Sequence, residues 1–268
     1  MKRMISMLFG TFCMMAMSVV QYACSNDDDL ILTRADGIVA GDTFDMEPPT
    51  DVYQYPYVPN TPEWLELHSH GMQAVYAALE IPESILKNMS SAGLVQSFLD
   101  YTYCAESMFC SSSTYWIAFE WDLENHPTTK DIYAVLRNRS DAGRAVMYVF
   151  KTYDFKGDHL FPWAEFMALH MMASVDDIYG KLSSDEKRAA VAIILQRLED
   201  FHREVDAFDG QMANLASFLV GRIMRSVKYE PLMKLLNSDN RLNSFLDTQD
   251  LMCDNYDQIL DIAKSYIK

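Results

Sequence analysis

Positive charge is scarce in this sequence. Twenty-two Lys and Arg stand against 38 Asp and Glu, giving a formal net charge of −16 over 268 residues. A chain this acidic repels phosphate backbones, which argues against nucleic acid as a partner. Cysteine is scarce too, with five in all, too few and too scattered for a disulfide framework. There is no Gly-x-Ser-x-Gly, no phosphate-cradling glycine loop, no Cys-x-x-Cys and no zincin motif, so the common sequence marks of hydrolases, nucleotide binders and redox proteins are missing. No convincing strand alternation runs beyond four residues, and no fixed-period repeat is legible. The apolar content of 50% and aromatic content of 12% exclude a disordered chain.

The first 23 residues carry two charges, Lys2 and Arg3. An apolar run from Met4 to Val20 follows, broken by Ser6, Gly10, Thr11 and Ser18. That is the build of an export signal, and slightly short for a bilayer-spanning helix. Gln21-Tyr22-Ala23-Cys24 comes next and resembles a lipobox. The resemblance implies cleavage before Cys24 and acylation of its thiol. Two or three acyl chains give stable anchoring, at about 0.8 kcal/mol per buried CH₂. Ser25-Asn26-Asp27-Asp28-Asp29 then resembles the acidic signal that sends Bacteroidetes lipoproteins to the outer face of the outer membrane; the periplasmic face is the alternative. Loss of Lys2 and Arg3 with the signal takes the net charge from −16 to −18. The acyl chains would then do the anchoring, since an acidic domain gains nothing from an anionic bilayer.

Residues 24–60 read as a flexible acidic tether containing Pro48, Pro49, Pro56 and Pro59, with the aromatic stretch Tyr53 to Pro59 suited to lie against the domain. Residues 61–268 read as one all-α domain, an irregular array of about ten short amphipathic helices in antiparallel hairpins. Thr61 caps a helix with Pro62 at its first position. It carries Trp64, Leu67, His68, Met72, Val75 and Leu79 at helical spacing until Pro82. Short helices follow over 82–89 and 90–100. A longer one is expected over 105–125, with Phe109, Trp116, Phe119 and Leu123 on one face, then others over 129–138 and from Ser140-Asp141 to Tyr153. Pro162 opens a helix to about Leu182. The most regular helix runs from Ser183 or Ser184 to a stop at Gly210. Further helices are expected over 212–227, 230–237 and 249–267, with a turn near 240–246.

Tyr55-Pro56-Tyr57-Val58-Pro59-Asn60-Thr61-Pro62-Glu63-Trp64 resembles the opening of the helical domain in a group of uncharacterised Bacteroidetes lipoproteins, where Gly is usual at the place of Asn60. Ile81-Pro82-Glu83-Ser84-Ile85-Leu86-Lys87-Asn88-Met89-Ser90 and Gly93-Leu94-Val95-Gln96 resemble the next element of that group. The clear match covers residues 53–100, while Arg139, Ala142 and Tyr153 fit loosely. The resemblance implies an envelope location and a helical fold, and implies no chemistry.

Several residues could carry function, each with a plainer reading. His68 and His70 lie two apart, so on a helix they point to different faces and do not share an ion. Glu199 and His202 have the Glu-x-x-His spacing of di-metal bundles, but such sites need two copies and more glutamates. His170 faces inward, with Ser174 one turn on and Glu165 nearly opposite. Asp176, Asp177, Asp206 and Asp209 lack the alternating oxygen spacing of a calcium loop. Trp116, Trp121 and Trp163 could line a glycan platform or simply fill a core. Cys104 and Cys110 could pair, though on one helix six residues apart they point to opposite sides; with Cys253 they read better as buried thiols.

No metal, cofactor or catalytic residue is assigned, and Cys24 is the one site residue. The reading favours a non-enzymatic surface lipoprotein that binds a macromolecular partner or supports an envelope assembly. An extracellular polymer hydrolase around His170 and a glycan-binding accessory protein are the alternatives.

Overall fold

The computed structural model describes residues 43–106, 114–157, 162–205, 208–249 and 253–268. The export signal, Cys24 and the acidic run lie outside the described residues, as do Phe109, Cys110 and Asp206. The described residues are all-α, with fourteen helices and no strand. They are α1 (Pro62–Ser69), α2 (Met72–Ala78), α3 (Glu83–Leu86), α4 (Ser91–Leu99), α5 (Tyr115–Asn125), α6 (Pro127–Leu136) and α7 (Ala142–Thr152). After them come α8 (Pro162–Ala173), α9 (Asp176–Tyr179), α10 (Ser184–Glu204), α11 (Asp209–Ser226), α12 (Glu230–Ser238), α13 (Asn240–Thr248) and α14 (Asp257–Tyr266).

Two helices organise the rest. Every residue of α8 from Phe166 to Ala173 is buried, and it packs against α4, α5, α7, α9 and α11. A helix enclosed on all sides needs no polar face, and apart from Glu165 in its first turn and the buried His170 its sequence is apolar all round. In α11 the stretch from Asn214 to Met224 is buried throughout, and its neighbours are α8, α10, α12, α13 and α14. At Gly221 α11 faces both α13 and α14, and a Cβ there would run into Leu246 and crowd Ile259.

Most helix starts follow local chemistry. Thr61 accepts from Trp64 N at 3.2 Å with Pro62 behind it. Ser183 and Glu186 form a reciprocal capping box on α10, which satisfies two otherwise orphaned N–H groups. Asn60 has φ 66°. That left-handed region suits Gly best and Asn next, so Asn60 makes the turn that Gly would make.

Five helix boundaries differ from the sequence reading, and the turn expected near 240–246 is instead the helix α13, started by the Asp239 carboxylate accepting from Arg241 N and Leu242 N. The first helix is split by Gly71 at φ 90°, which lets the chain turn sharply between α1 and α2. The helix expected over 105–125 is shorter, because Thr114 is extended and α5 begins at Tyr115. The helix expected over 162–182 stops at Ala173. There the Ser174 hydroxyl donates back to His170 O at 2.8 Å and Val175 is extended, a known way for serine to end a helix. α10 stops at Glu204, before Gly210, which lies in the first turn of α11 behind a left-handed Phe208. The last helix begins at Asp257, since Gln249 is left-handed.

The tether also needs correcting over its second half. Residues 43–60 lie along the helices in an extended path and belong to the same compact unit. Phe44 is fully buried, Tyr53 N donates to Ser97 Oγ at 2.8 Å, and the Tyr55 hydroxyl donates to Ser97 O at 2.9 Å. Asp51 accepts from both the N–H and the hydroxyl of Ser90, at the start of α4. Buried aromatics and satisfied backbone offset the ordering entropy that a polar tether could not meet.

Candidate functional site

The strongest candidate is α5, a helix fixed at both ends with an unusual outer face. Its first turn presents backbone N–H groups that no helical carbonyl can reach. Gln249 supplies the acceptor: its Oε1 takes Tyr115 N at 3.0 Å and Trp116 N at 3.2 Å. The Gln249 amide in turn donates to Asn214 Oδ1 at 2.7 Å, tying α5 to α11. Trp116 is buried, with its ring 5.3 Å from Phe218 and the Arg222 guanidinium 4.5 Å above it. Arg222 is anchored by Asp176 at 2.7 Å and by Leu246 O at 3.2 Å. Burial alone would raise the Asp176 carboxyl; hydrogen bonds from Tyr179 and Arg222 outweigh it and hold the carboxyl below its ordinary value.

The other end of α5 is held by aromatic packing. His126 is buried where α5 passes into α6. Its ring meets Tyr76 at 4.7 Å and Tyr101 at 5.4 Å, both edge to face. Tyr103 closes the circuit at 5.8 Å from Tyr101 and 5.9 Å from Tyr76, again edge to face. These are favourable quadrupole geometries, and centroid spacings this short leave no room for a ligand among the four rings. Glu106 accepts from the Tyr76 hydroxyl at 3.1 Å and lies 3.7 Å from His126 Nε2. The Tyr103 hydroxyl meets His68 Nε2 at 2.8 Å, and Trp64 stacks on Tyr103 at 5.9 Å. Burial, with the Glu106 carboxylate beside it, pushes the Tyr103 hydroxyl above its ordinary pKa.

Between these two anchors α5 turns Trp116, Phe119 and Leu123 inward. Its outer face carries Ile117 at 53% exposure and Trp121 at 58%, one helical turn apart. Glu120 and Glu124 flank them and are exposed. The Glu120 carboxyl is pushed up first by partial burial; the charges of Glu124 and Asp176 add to this, while the Trp116 indole and Arg222 act against it.

The remaining sequence candidates fall elsewhere. His68 is half-buried against Tyr103, and His70 is exposed at the end of α1. His202 Nδ1 pairs with Asp209 at 2.8 Å rather than joining Glu199 at a common centre. Among the described residues no three His, Cys, Asp or Glu side chains converge as metal ligands. Asp177 pairs with Arg137 at 3.1 Å.

His170 is fully buried and does not work with Ser174. Its Nδ1 donates to Phe166 O at 2.8 Å, since a carbonyl can only accept, and the Ser174 hydroxyl is spent on the His170 carbonyl. Glu165 accepts from the Tyr153 hydroxyl at 3.0 Å. Burial between Phe150 and Phe166 pushes the His170 pKa down to about 4.

The three tryptophans named as a platform do not share a surface. Trp116 is in the core, Trp163 is half-buried and stacked on Phe208 at 4.3 Å, and Trp121 stands out from α5. Cys104 is a buried free thiol whose pKa burial pushes up, and Cys253 is buried. Between residues 51–54 and α3 there is a shallow open depression whose one carboxylate, Asp51, is already bound to Ser90.

Sequence reasoning passed over Ile117, Glu120, Glu106 and His126. Ile117 was accessible: once Trp116, Phe119 and Leu123 face inward, a 3.6-residue period puts it outside beside Trp121. Glu106 ends the described stretch 43–106 and His126 sits at the bend between α5 and α6, twenty residues on, where no periodicity brings them together. No helix among the described residues is long and apolar enough to cross a membrane. No family model, curated protein or solved structure matches the chain.

Proposed function

We propose that this chain is a cell-envelope lipoprotein, held on the outer membrane by acyl chains on Cys24, whose helical domain acts by binding a macromolecular partner. The observation that carries the binding half is the exposed Ile117–Trp121 pair on a helix clamped at both ends. Exposed tryptophan is uncommon on a closed surface, and tryptophan anchors dominate the energetics of protein interfaces. A rigid platform also loses little conformational entropy on binding, which leaves more of the contact energy for affinity.

The anchoring half rests on the sequence: the basic start, the apolar run, Ala23-Cys24 and the acidic segment after it. The resemblance to Bacteroidetes lipoproteins points the same way. The acidic segment favours the outward face of the outer membrane. An extracellular hydrolase built on the pair the sequence put forward would need Ser174 and His170 in contact with each other and with substrate, but the Ser174 hydroxyl is spent on the His170 carbonyl and the unpaired His170 Nε2 is fully buried.

The test is protease shaving of intact producing cells, with mass spectrometry of residue 24 in the parent and in a Cys24→Ala strain. Acyl mass on Cys24, cleavage of the parent at the surface and release of the variant from membranes are the expected results. An unlipidated parent would overturn the anchoring, and a protected one would move the protein to the periplasmic side.

A further inference from the structure

The charge around the exposed pair on α5 identifies the kind of partner it fits. Some exposed acids on other helices have a lysine one turn away: Glu83 with Lys87, Glu230 with Lys234, Asp261 with Lys264. The α5 segment, Tyr115 to Asn125, contains no basic residue at all. Glu120 and Glu124 therefore flank Ile117 and Trp121 with no cation on their own helix to neutralise them. Arg222 of α11 is the cation acting on Glu120 from a neighbouring helix, and the like charges of Glu124 and Asp176 oppose it. Leu65 on α1 is exposed between Glu63 and Glu66, but it stands alone on its helix, without a second apolar neighbour one turn away.

We infer that the outer face of α5 is the docking surface for a cationic amphipathic protein segment. Its apolar side chains cover Ile117 and Trp121, and its Lys or Arg side chains pair with Glu120 and Glu124. This inference rests on the reading of the domain as a binding module and names that module's partner chemistry. The acids steer a cationic segment in and repel an anionic one, so they supply selection as well as attraction. They equally disfavour an anionic lipid surface, which sets a protein segment ahead of a membrane as occupant. The fixed ends of α5 mean the surface exists before the partner arrives.

Trp121 is its own reporter, because Trp64 and Trp116 are buried and Trp163 is half-covered by Phe208. The chain from residue 24 onward, with Cys24→Ser, keeps the whole compact unit and avoids detergent. It is titrated with a helical Leu/Lys peptide, a Leu/Glu peptide of the same pattern, and zwitterionic and anionic vesicles.

The Leu/Lys peptide should shift Trp121 emission to the blue and shield it from acrylamide, and the signal should vanish in Trp121→Phe. Ile117→Ser and the pair Glu120→Gln/Glu124→Gln should each weaken binding roughly tenfold, as loss of an interface anchor does. Glu230→Gln should leave it unchanged. Equal binding by parent and α5 variants overturns the inference, as does a response to the Leu/Glu peptide or to vesicles in place of the Leu/Lys peptide. These outcomes are independent of Cys24. Loss of lipidation would sink the anchoring and leave this surface standing, and failure of the peptide would remove the surface and leave the anchor.

Discussion

The side-chain carbonyl of Gln249 accepts the backbone N–H of Trp116 at 3.2 Å, across a sequence separation of 133 residues. It also takes Tyr115 N, while its amide binds Asn214. One fully buried side chain thus caps α5 from outside the helix and ties it to α11.

Replacing Gln249 with Ala would strand two helix N–H groups and the Asn214 carbonyl in the interior. Each stranded buried group costs about 1–3 kcal/mol, and relaxation recovers part, so a net loss of about 3 kcal/mol is expected. Gln249 has φ 54°, a region that glycine occupies freely. Gln249→Gly should therefore lose less than Gln249→Ala, by up to about 1 kcal/mol. Urea unfolding followed by tryptophan fluorescence reads both. A glycine variant no more stable than the alanine variant would show that backbone strain at residue 249 is unimportant.

The fold class was legible in the sequence because most helices here are amphipathic and start at readable caps. Thr61-Pro62 and Ser183 with Glu186 are local signals, and the helices begin where they point. The boundaries that differ depend on contacts distant in sequence or on backbone geometry. Thr114 precedes a helix capped by Gln249, and Ser174 and Gly71 break helices whose apolar period continues through them. The packing of residues 43–60 was hidden for a related reason. Asp45, Asp51 and Tyr53 sit in acidic, proline-containing sequence, and their value appears only once α7 offers Lys151 and α4 offers Ser90 and Ser97. The site was half legible, since Trp121 was noticed as an aromatic but grouped with two tryptophans that the fold turns elsewhere.

Asp51 holds this extended segment to α4, and the contact has a defined pH dependence. Burial would raise its carboxyl, but hydrogen bonds from Ser90 and the charge of Arg139 hold it below the ordinary value. Its folded pKa is depressed, so its stabilisation is present above the unfolded value and is lost as pH falls through the folded one. Asp51→Ala should cost about 1 kcal/mol at neutral pH, as loss of a helix cap does. The gap between parent and variant should begin to narrow as pH falls past the ordinary carboxylate value of 3.8 and close only below the lower folded value. Limited proteolysis near Tyr53 should quicken in the variant at neutral pH. A gap that persists unchanged at low pH would assign the effect to packing rather than to the carboxylate. Gly93 offers a second check, because a Cβ there would overlap the Asp51 carboxylate. Gly93→Ala should destabilise the parent yet be tolerated in the Asp51→Ala background, a non-additivity that a double-mutant cycle measures.

His170 imposes a larger acid sensitivity on the core. Its pKa falls from 6.5 to about 4 on folding, because burial disfavours the charged ring. The unfolded chain then binds a proton that the folded chain refuses, so stability falls as pH drops from about 6.5 towards 4. The shift corresponds to a loss of roughly 3 kcal/mol by pH 4, at 1.36 kcal/mol per unit. His170→Leu should flatten that window while leaving other acid-sensitive groups to act at lower pH. Urea midpoints at pH 7.5, 5.5 and 4.5 decide it, and parallel pH profiles for parent and variant would show that the buried imidazole titrates normally.

Gly221 is where α11 approaches α14, and a test there separates helix propensity from packing. On an exposed helix Gly→Ala gains about 0.5–1 kcal/mol. At residue 221 the new methyl would meet Leu246 and Ile259. Leu246 is fully buried, so its methyls have little space to retreat into, and its backbone is held by a carbonyl that accepts from both Arg222 and Arg225; Arg222 in turn lies over Trp116 at the base of α5. Overpacking of this kind costs about 1–3 kcal/mol, so Gly221→Ala should lower stability on balance despite its better propensity. Trimming the obstacle with Leu246→Ala should make the same substitution far less harmful, and the melting temperatures of the two singles and the double give the coupling. Because the strain reaches Arg222 through Leu246, Gly221→Ala should also alter the emission of Trp116. A stabilising Gly221→Ala, or additive effects with Leu246→Ala, would mean that the helices have room to part and that α5 is not braced from this side.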